Sequence, residues 1–251
     1  RFPQQWRSNL AIDQRLPWGL LGTAEFIYGR DINGAIYYDA NLPANPTFFS
    51  GPDARARFIS NRIYPNVTRN IVLDNQNDSY NYNIAFSLEK SFANGFFAKA
   101  AYSYGQSYSY LDPGSTAGGT FNGLIVPGSP NRPPLSRSNF APGHRSFLAL
   151  SYRREYFRFG ATSVSLFAER STIGYASFVA SGDMNGDGVA GNDLIYIPRD
   201  RAEMNFTPLT VTAAGRPTVV VSPQAQADAF ENFINQDPYL RSRRGRYAER
   251  N

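Results

Sequence analysis

The stretch 79–104, SYNYNIAFSLEKSFANGFFAKAAYSY, constrains the fold more than any other part of the chain. In its first arm Tyr80, Tyr82, Ile84, Phe86 and Leu88 share one face; Ser79, Asn81, Asn83, Ala85, Ser87 and Glu89 share the other. A period of two held over about ten residues specifies a strand with one apolar and one polar face, because successive side chains leave a pleated backbone on opposite sides. The second arm repeats the pattern, with Phe96, Ala98, Ala100, Tyr102 and Tyr104 against Lys99, Ala101, Ser103 and Gly105. Between the arms, Asn94-Gly95 is a strong hairpin signal, since tight turns need positive φ. Soluble sandwiches usually use strands of about five or six residues. About ten residues at roughly 3.3 Å each, tilted near 45°, rise roughly 23 Å, close to the apolar band of a transmembrane β-barrel.

The same alternation recurs. Trp6, Leu10, Ile12 and Leu16 lie opposite Arg7, Asn9, Asp13 and Arg15, and after Pro17-Trp18-Gly19 the chain returns with Leu20, Ala24, Phe26 and Tyr28 on one side. Leu148, Leu150 and Tyr152 form a further face, followed by Val164, Leu166 and Ala168. The expected strands are therefore 5–16, 20–30, 79–90, 96–108, 145–154 and 161–170. Short turns fall near Pro17, Asn94 and Glu155, and long loops at 31–78, 109–144 and 171–251. Short turns at one end and long loops at the other is the asymmetry of an outer-membrane barrel. Aromatic residues near the strand ends (Trp18, Phe92, Phe96 and Tyr156; Tyr28, Tyr80, Tyr104 and Tyr108) suit interfacial girdles. Within the loops, 71–73 and 175–179 read as short strands. Residues 223–235 read as a helix capped by Ser222, with Phe230, Phe233 and Ile234 as an apolar stripe that packs an ordered loop.

Bulk composition removes other classes. No stretch approaches the roughly eighteen apolar residues of a membrane helix, and without cysteine there is neither disulfide scaffolding nor thiol chemistry. A mean hydropathy of −0.41 is compatible with a barrel whose lumen side and loops are polar. The net charge of +5 is nearly all arginine, scattered except for Arg241, Arg243, Arg244 and Arg246, which argues against nucleic acid as a partner. The single histidine, His144, reads as a hydrogen-bonding residue at a strand start. No nucleophile elbow or phosphate-cradling glycine loop is present, and Asp200 and Glu203 beside Arg199 and Arg201 read as a solvated charge cluster. The expectation is a protein that is not an enzyme.

The sharpest local motif is Asp183-x-Asn185-x-Asp187-Gly188 with Asp193 beyond it. Alternating oxygen side chains followed by glycine open calcium loops of the EF-hand type, which makes Asp183, Asn185, Asp187 and Asp193 candidate calcium ligands. Leu194 stands where the closing acidic residue belongs. The competing reading is a turn held by Asx hydrogen bonds to its own backbone.

Together these pieces resemble the barrel of TonB-dependent outer-membrane transporters, specifically the Oar-like branch. The resemblance is carried by Tyr80-x-Tyr82-Asn83, Leu88-Glu89-Lys90-Ser91-Phe92, Ala100-Ala101-Tyr102-Ser103-Tyr104 and Pro142-Gly143-His144-Arg145. It continues through Gly182-Asp183-Met184-Asn185-Gly186-Asp187-Gly188 and Asn192-Asp193-Leu194-Ile195-Tyr196-Ile197-Pro198. It closes with Gln236-Asp237-Pro238-Tyr239-Leu240 and Arg244-Gly245-x-Tyr247-Ala248-Glu249-Arg250-Asn251. The resemblance implies an all-β fold: a segment of an antiparallel transmembrane barrel of about 22 strands with a plugged lumen. Here about six strands, long extracellular loops and one loop helix would be present, with the plug and N-terminal domains lying outside 1–251. It further implies a bacterial outer-membrane location, lipid as a partner, and energised uptake of an extracellular ligand through an inner-membrane coupling complex. Two alternatives stand beside it: a surface-binding or adhesin-like outer-membrane protein, and a soluble secreted calcium-binding β-domain.

Overall fold

The computed structural model describes residues 1–58, 62–212 and 218–249. It is mostly antiparallel β-sheet with few helices. Six long strands follow one another as neighbours: β1 (Gln4–Leu16), β2 (Leu20–Asp39), β3 (Tyr80–Ser91), β4 (Phe96–Ser109), β5 (Gly143–Phe157) and β6 (Gly160–Ser171). Ile71–Gln76 adds to β2 and Ser136–Arg137 to β4, and the sheet is open, with β1 and β6 at the ends of the strand order.

The register converts alternation within strands into bands across them. Leu10, Phe26, Ile84 and Tyr104 stand in one row, and Ile12, Ala24, Phe86 and Tyr102 in the next. A third row runs Gly22, Leu88, Ala100, Leu148 and Ala168. The opposite face is polar and laced across strands. Thr23 Oγ1 donates to Asp13 Oδ1 at 2.6 Å, and Asn9 Nδ2 to Glu25 Oε1 at 3.1 Å. Lys99 pairs with Glu89, and Arg145 with Glu169, each at 2.8 Å. Cross-strand pairs of this kind hold a sheet together where no core backs it. The apolar face is uncovered: Leu10 is 66% exposed, Phe86 54% and Leu166 60%.

Short turns close the hairpins. At the β3–β4 turn Gly95 has φ +82°, and a Cβ there would run into the Arg153 carbonyl of β5, so glycine is required twice over. Three expectations about strands and turns need correction. β2 continues past Arg30 to Asp39, because Asn33-Gly34 does not break it; the missing side chain at Gly34 admits Gln76 alongside. The last hairpin turns after Phe157 rather than near Glu155. Residues 175–179 form no strand: Phe178 N donates to Ala248 O and Ala180 N to Asp193 O, two different partners, so only an isolated Val179–Leu194 bridge results.

The chain divides into two compact units. The first, Arg1–Ile36, Leu73–Pro113 and Leu135–Tyr175, holds the long strands. The second, Tyr37–Val72, Gly114–Pro134 and Ala176–Asn251, draws on all three long connections. One of its cores is Ile197, Ile234, Leu240 and Ala248, all fully buried, with Phe178, Ile195, Met204, Phe230 and Tyr239 packed around them. Where one loop helix was expected, its described residues hold three α-helices, α1 (Ala117–Asn122), α2 (Pro223–Gln236) and α3 (Pro238–Ser242), the two short ones being too brief to leave a helical period in the sequence. Ser222 caps α2 by accepting from Ala225 N at 3.2 Å, and Ile234 from its stripe enters the core. Arg250 and Asn251, the last residues of the closing motif, lie outside the described residues.

Candidate functional site

In the second unit the Asp-Asn-Asp-Gly stretch forms a loop held by nested Asx turns. Asp183 accepts from Gly186 N at 2.7 Å and Gly188 N at 2.8 Å, one bond on each carboxylate oxygen. Asn185 Oδ1 accepts from Asp187 N (2.9 Å), and Asp187 Oδ1 from Val189 N (2.7 Å). Asp193 Oδ2 reaches back to Met184 N at 2.8 Å. The structure thus brings all four predicted residues into one loop, with Asn185, Asp187 and Asp193 fully buried and Asp183 exposed.

Arginines surround it. Arg55 is fully buried and donates from Nη1 to Asp193 Oδ1 (3.4 Å), from Nη2 to Leu194 O (2.7 Å) and from Nε to Asp53 (3.0 Å), while its guanidinium lies over the Tyr247 ring at 5.3 Å. Arg69 Nη2 donates to Gly188 O at 3.0 Å. Arg62 packs so closely that a Cβ on Gly188 would strike its guanidinium. Burial pushes the Asp193 carboxyl up, against the Met184 amide and the Arg55 charge, which hold it down. Burial raises Asp187 as well, where the Asn192 amide and Val189 N–H oppose it and Asp183 adds to it. Among the described residues no three acidic or histidine groups converge closely enough to hold a metal ion. The loop oxygens are shared out among backbone amides and a guanidinium, which does not fit a preformed calcium cage.

Beside this loop lies a cavity of about 1020 Å³ within the second unit. Phe49, Tyr196, Phe206, Phe230 and Phe233 give it aromatic walls, and Met184 and Met204 add thioethers. Phe206 and Phe230 meet edge to face, their centroids 6.1 Å apart. Its charged lining residues are Asp53, Asp200 and Glu203. Glu203 is no solvated surface charge: its side chain is 15% exposed, and Oε2 accepts from Tyr196 OH at 3.0 Å and Arg199 N at 2.9 Å. Burial, followed by the bond to Asp53, drives the Tyr247 hydroxyl far above the ordinary tyrosine range; it donates to Asp53 at 2.9 Å. Of the aromatic wall, Phe230 and Phe233 stood out in the sequence as packing residues and Tyr196 as part of a motif, none of them as lining a cavity.

The other predicted features have structural employment. His144 Nδ1 and Tyr102 OH are 2.7 Å apart at the start of β5. Arg243 pairs with Glu249 and Arg244 with Glu231, so half of the arginine cluster is tied into its own unit. Comparison with known proteins gives no match, whether to a family model, a curated protein or a solved structure.

Proposed function

We propose that the chain is part of the barrel of a TonB-dependent outer-membrane receptor of the Oar-like type, taking up an extracellular ligand in bacteria. One observation carries this reading: the apolar face of the six-stranded sheet is exposed across its width, row upon row. Leaving each Leu, Ile, Val or Phe in water forgoes roughly 1.5–3 kcal/mol, so the natural solvent of that face is lipid. The height fits as well. From Tyr80 to Lys90 on β3 the chain rises roughly 23 Å at a 45° tilt, near the apolar band of about 25 Å. The opposite face, with its Glu89–Lys99 and Arg145–Glu169 pairs, suits a wet lumen. The two end strands of the open sheet call for neighbouring strands, because unpaired backbone in lipid costs several kcal/mol per group.

In this proposal the loop unit meets the ligand, and coupling to the inner membrane belongs to parts beyond 1–251. The test has two arms. Membranes of a bacterium expressing the full-length protein are washed with carbonate and extracted with detergent; recovery only in detergent supports the reading, and a soluble monomer without detergent ends it. The upstream coding sequence decides the mode of action. A plug with an energy-coupling segment supports transport, whereas an adhesive repeat array supports surface binding alone.

A further inference from the structure

We propose that the aromatic cavity of the loop unit is a binding site for an organic cation, an ammonium group carried on an apolar body. The cavity has the volume of a small-molecule site, at the upper end of the range of about 300–1,000 Å³ that such pockets span. Its walls combine two features that select the same ligand. Aromatic faces attract cations through the ring quadrupole, and thioethers tolerate varied apolar shapes. Among the described residues the charged groups lining it are all acidic, although the chain as a whole carries +5.

The counter-charges sit off the lining. Arg55, which pairs with Asp53, is shared with Asp193, so two carboxylates draw on one guanidinium. Arg199, which approaches Glu203 at 3.7 Å, is 73% exposed and turned to solvent. Asp200 accepts from Ala202 N and has no ion-pair partner among the described residues. An anionic ligand would face three carboxylates of which Asp53 and Glu203 are each only partly offset by one arginine and Asp200 by none among the described residues, whereas a cation would gain from all three. The Asp183–Asp193 loop contributes Met184 to the wall, which gives that buttressed loop a part in shaping the site.

No lining residue belongs to the sheet unit, so the outcome here is independent of whether the apolar face meets lipid. The test uses the full-length protein purified in a non-ionic maltoside detergent, which carries no ammonium group, with benzyltrimethylammonium as probe and phenylacetate as the anionic control, measured by calorimetry. The expected result is saturable cation binding, with Kd at or below about 1 mM and at least about tenfold weaker binding of phenylacetate. Asp200→Asn, at an exposed position, and Phe206→Leu, outside the buried cluster, should each weaken the cation about fivefold, the worth of one charge or one ring face. Equal affinity for the anion, absence of saturable binding, or indifference to both substitutions would overturn the proposal.

Discussion

Arg55 and Asp193 stand 138 positions apart in the chain and meet as a fully buried ion pair, Nη1 to Oδ1 at 3.4 Å. The same guanidinium also serves Leu194 O and Asp53, so its removal takes a donor from three acceptors at once and leaves the Asp193 charge buried without its cation. We expect Arg55→Met to destabilise the loop unit by about 3–5 kcal/mol, as breaking one partner of a buried pair does. Arg55→Lys should cost nearly as much, because an ammonium cannot span the fork that reaches Asp53, Asp193 and Leu194 together. Limited trypsin digestion checks this: cleavage within 176–249, which carries Arg199, Arg201 and the 241–246 arginines, should accelerate in both variants, while the long strands keep their protection.

Asp187 separates charge from hydrogen bonding. Its carboxyl is raised, so the folded state holds the proton more tightly than the unfolded chain does. Stability from this group is therefore fully present below the unfolded value of about 3.9 and is lost as pH rises through the raised folded value. Asp187→Asn keeps the acceptor for Val189 N and removes the buried charge. Asn192, whose Oδ1 has no hydrogen-bond partner among the described residues, can turn its amide to meet the new NH₂. The variant should match or exceed the parent near pH 7, with the advantage shrinking toward about pH 4. Asp187→Ala, which strands Val189 N and Asn192, should instead lose about 1–3 kcal/mol. Thermal unfolding of the three proteins across that pH range is the measurement.

Calcium should add little to this loop. Its oxygens already accept from Gly186, Gly188, Val189 and Met184 amides, and Arg55 and Arg69 supply positive charge beside them. Millimolar calcium and excess chelator are therefore expected to give the same melting temperature within error. A calcium-dependent rise that disappears in Asp183→Ala would reinstate the cation as a ligand of Asp183, Asn185, Asp187 and Asp193.

What could be read in advance followed from periodicity. Phe86, Leu88, Leu148 and Leu166 announce strands because a period of two leaves its mark over many residues. The far end of β2 was missed because Gly34 reads locally as a break, and only the crossing segment at Gln76 explains it. The Asx turns were legible as one of two readings, yet their arginines were not: Arg69 comes from 119 positions away. The cavity was not legible as a cavity, although Met184, Tyr196, Phe230 and Phe233 of its lining fell in stretches the sequence singled out. Its wall is assembled from 49–53, 184, 195–206 and 226–233, and ladders as short as Tyr196–Ile197 on Arg246–Tyr247 are too brief to show a period.

Neighbouring positions on β3 provide the sharpest test of which face meets lipid. Leu88 lies in the apolar row with Gly22, Ala100 and Leu148, whereas Ser87 lies in the polar row with Thr23, Ala101 and Phe147. An arginine on the lipid face of a barrel costs about 2–4 kcal/mol at the bilayer midplane and less toward the interface, where Leu88 stands near the turn end of β3, whereas one facing the lumen costs far less. Leu88→Arg should therefore reduce the detergent-extractable, protease-resistant protein in the membrane fraction. Ser87→Arg, one residue away with the same charge and size, should assemble like the parent. The logic depends only on the alternation of side chains along one strand. Equal tolerance of both substitutions would mean that neither face sees hydrocarbon, and the reverse order would turn the sheet inside out.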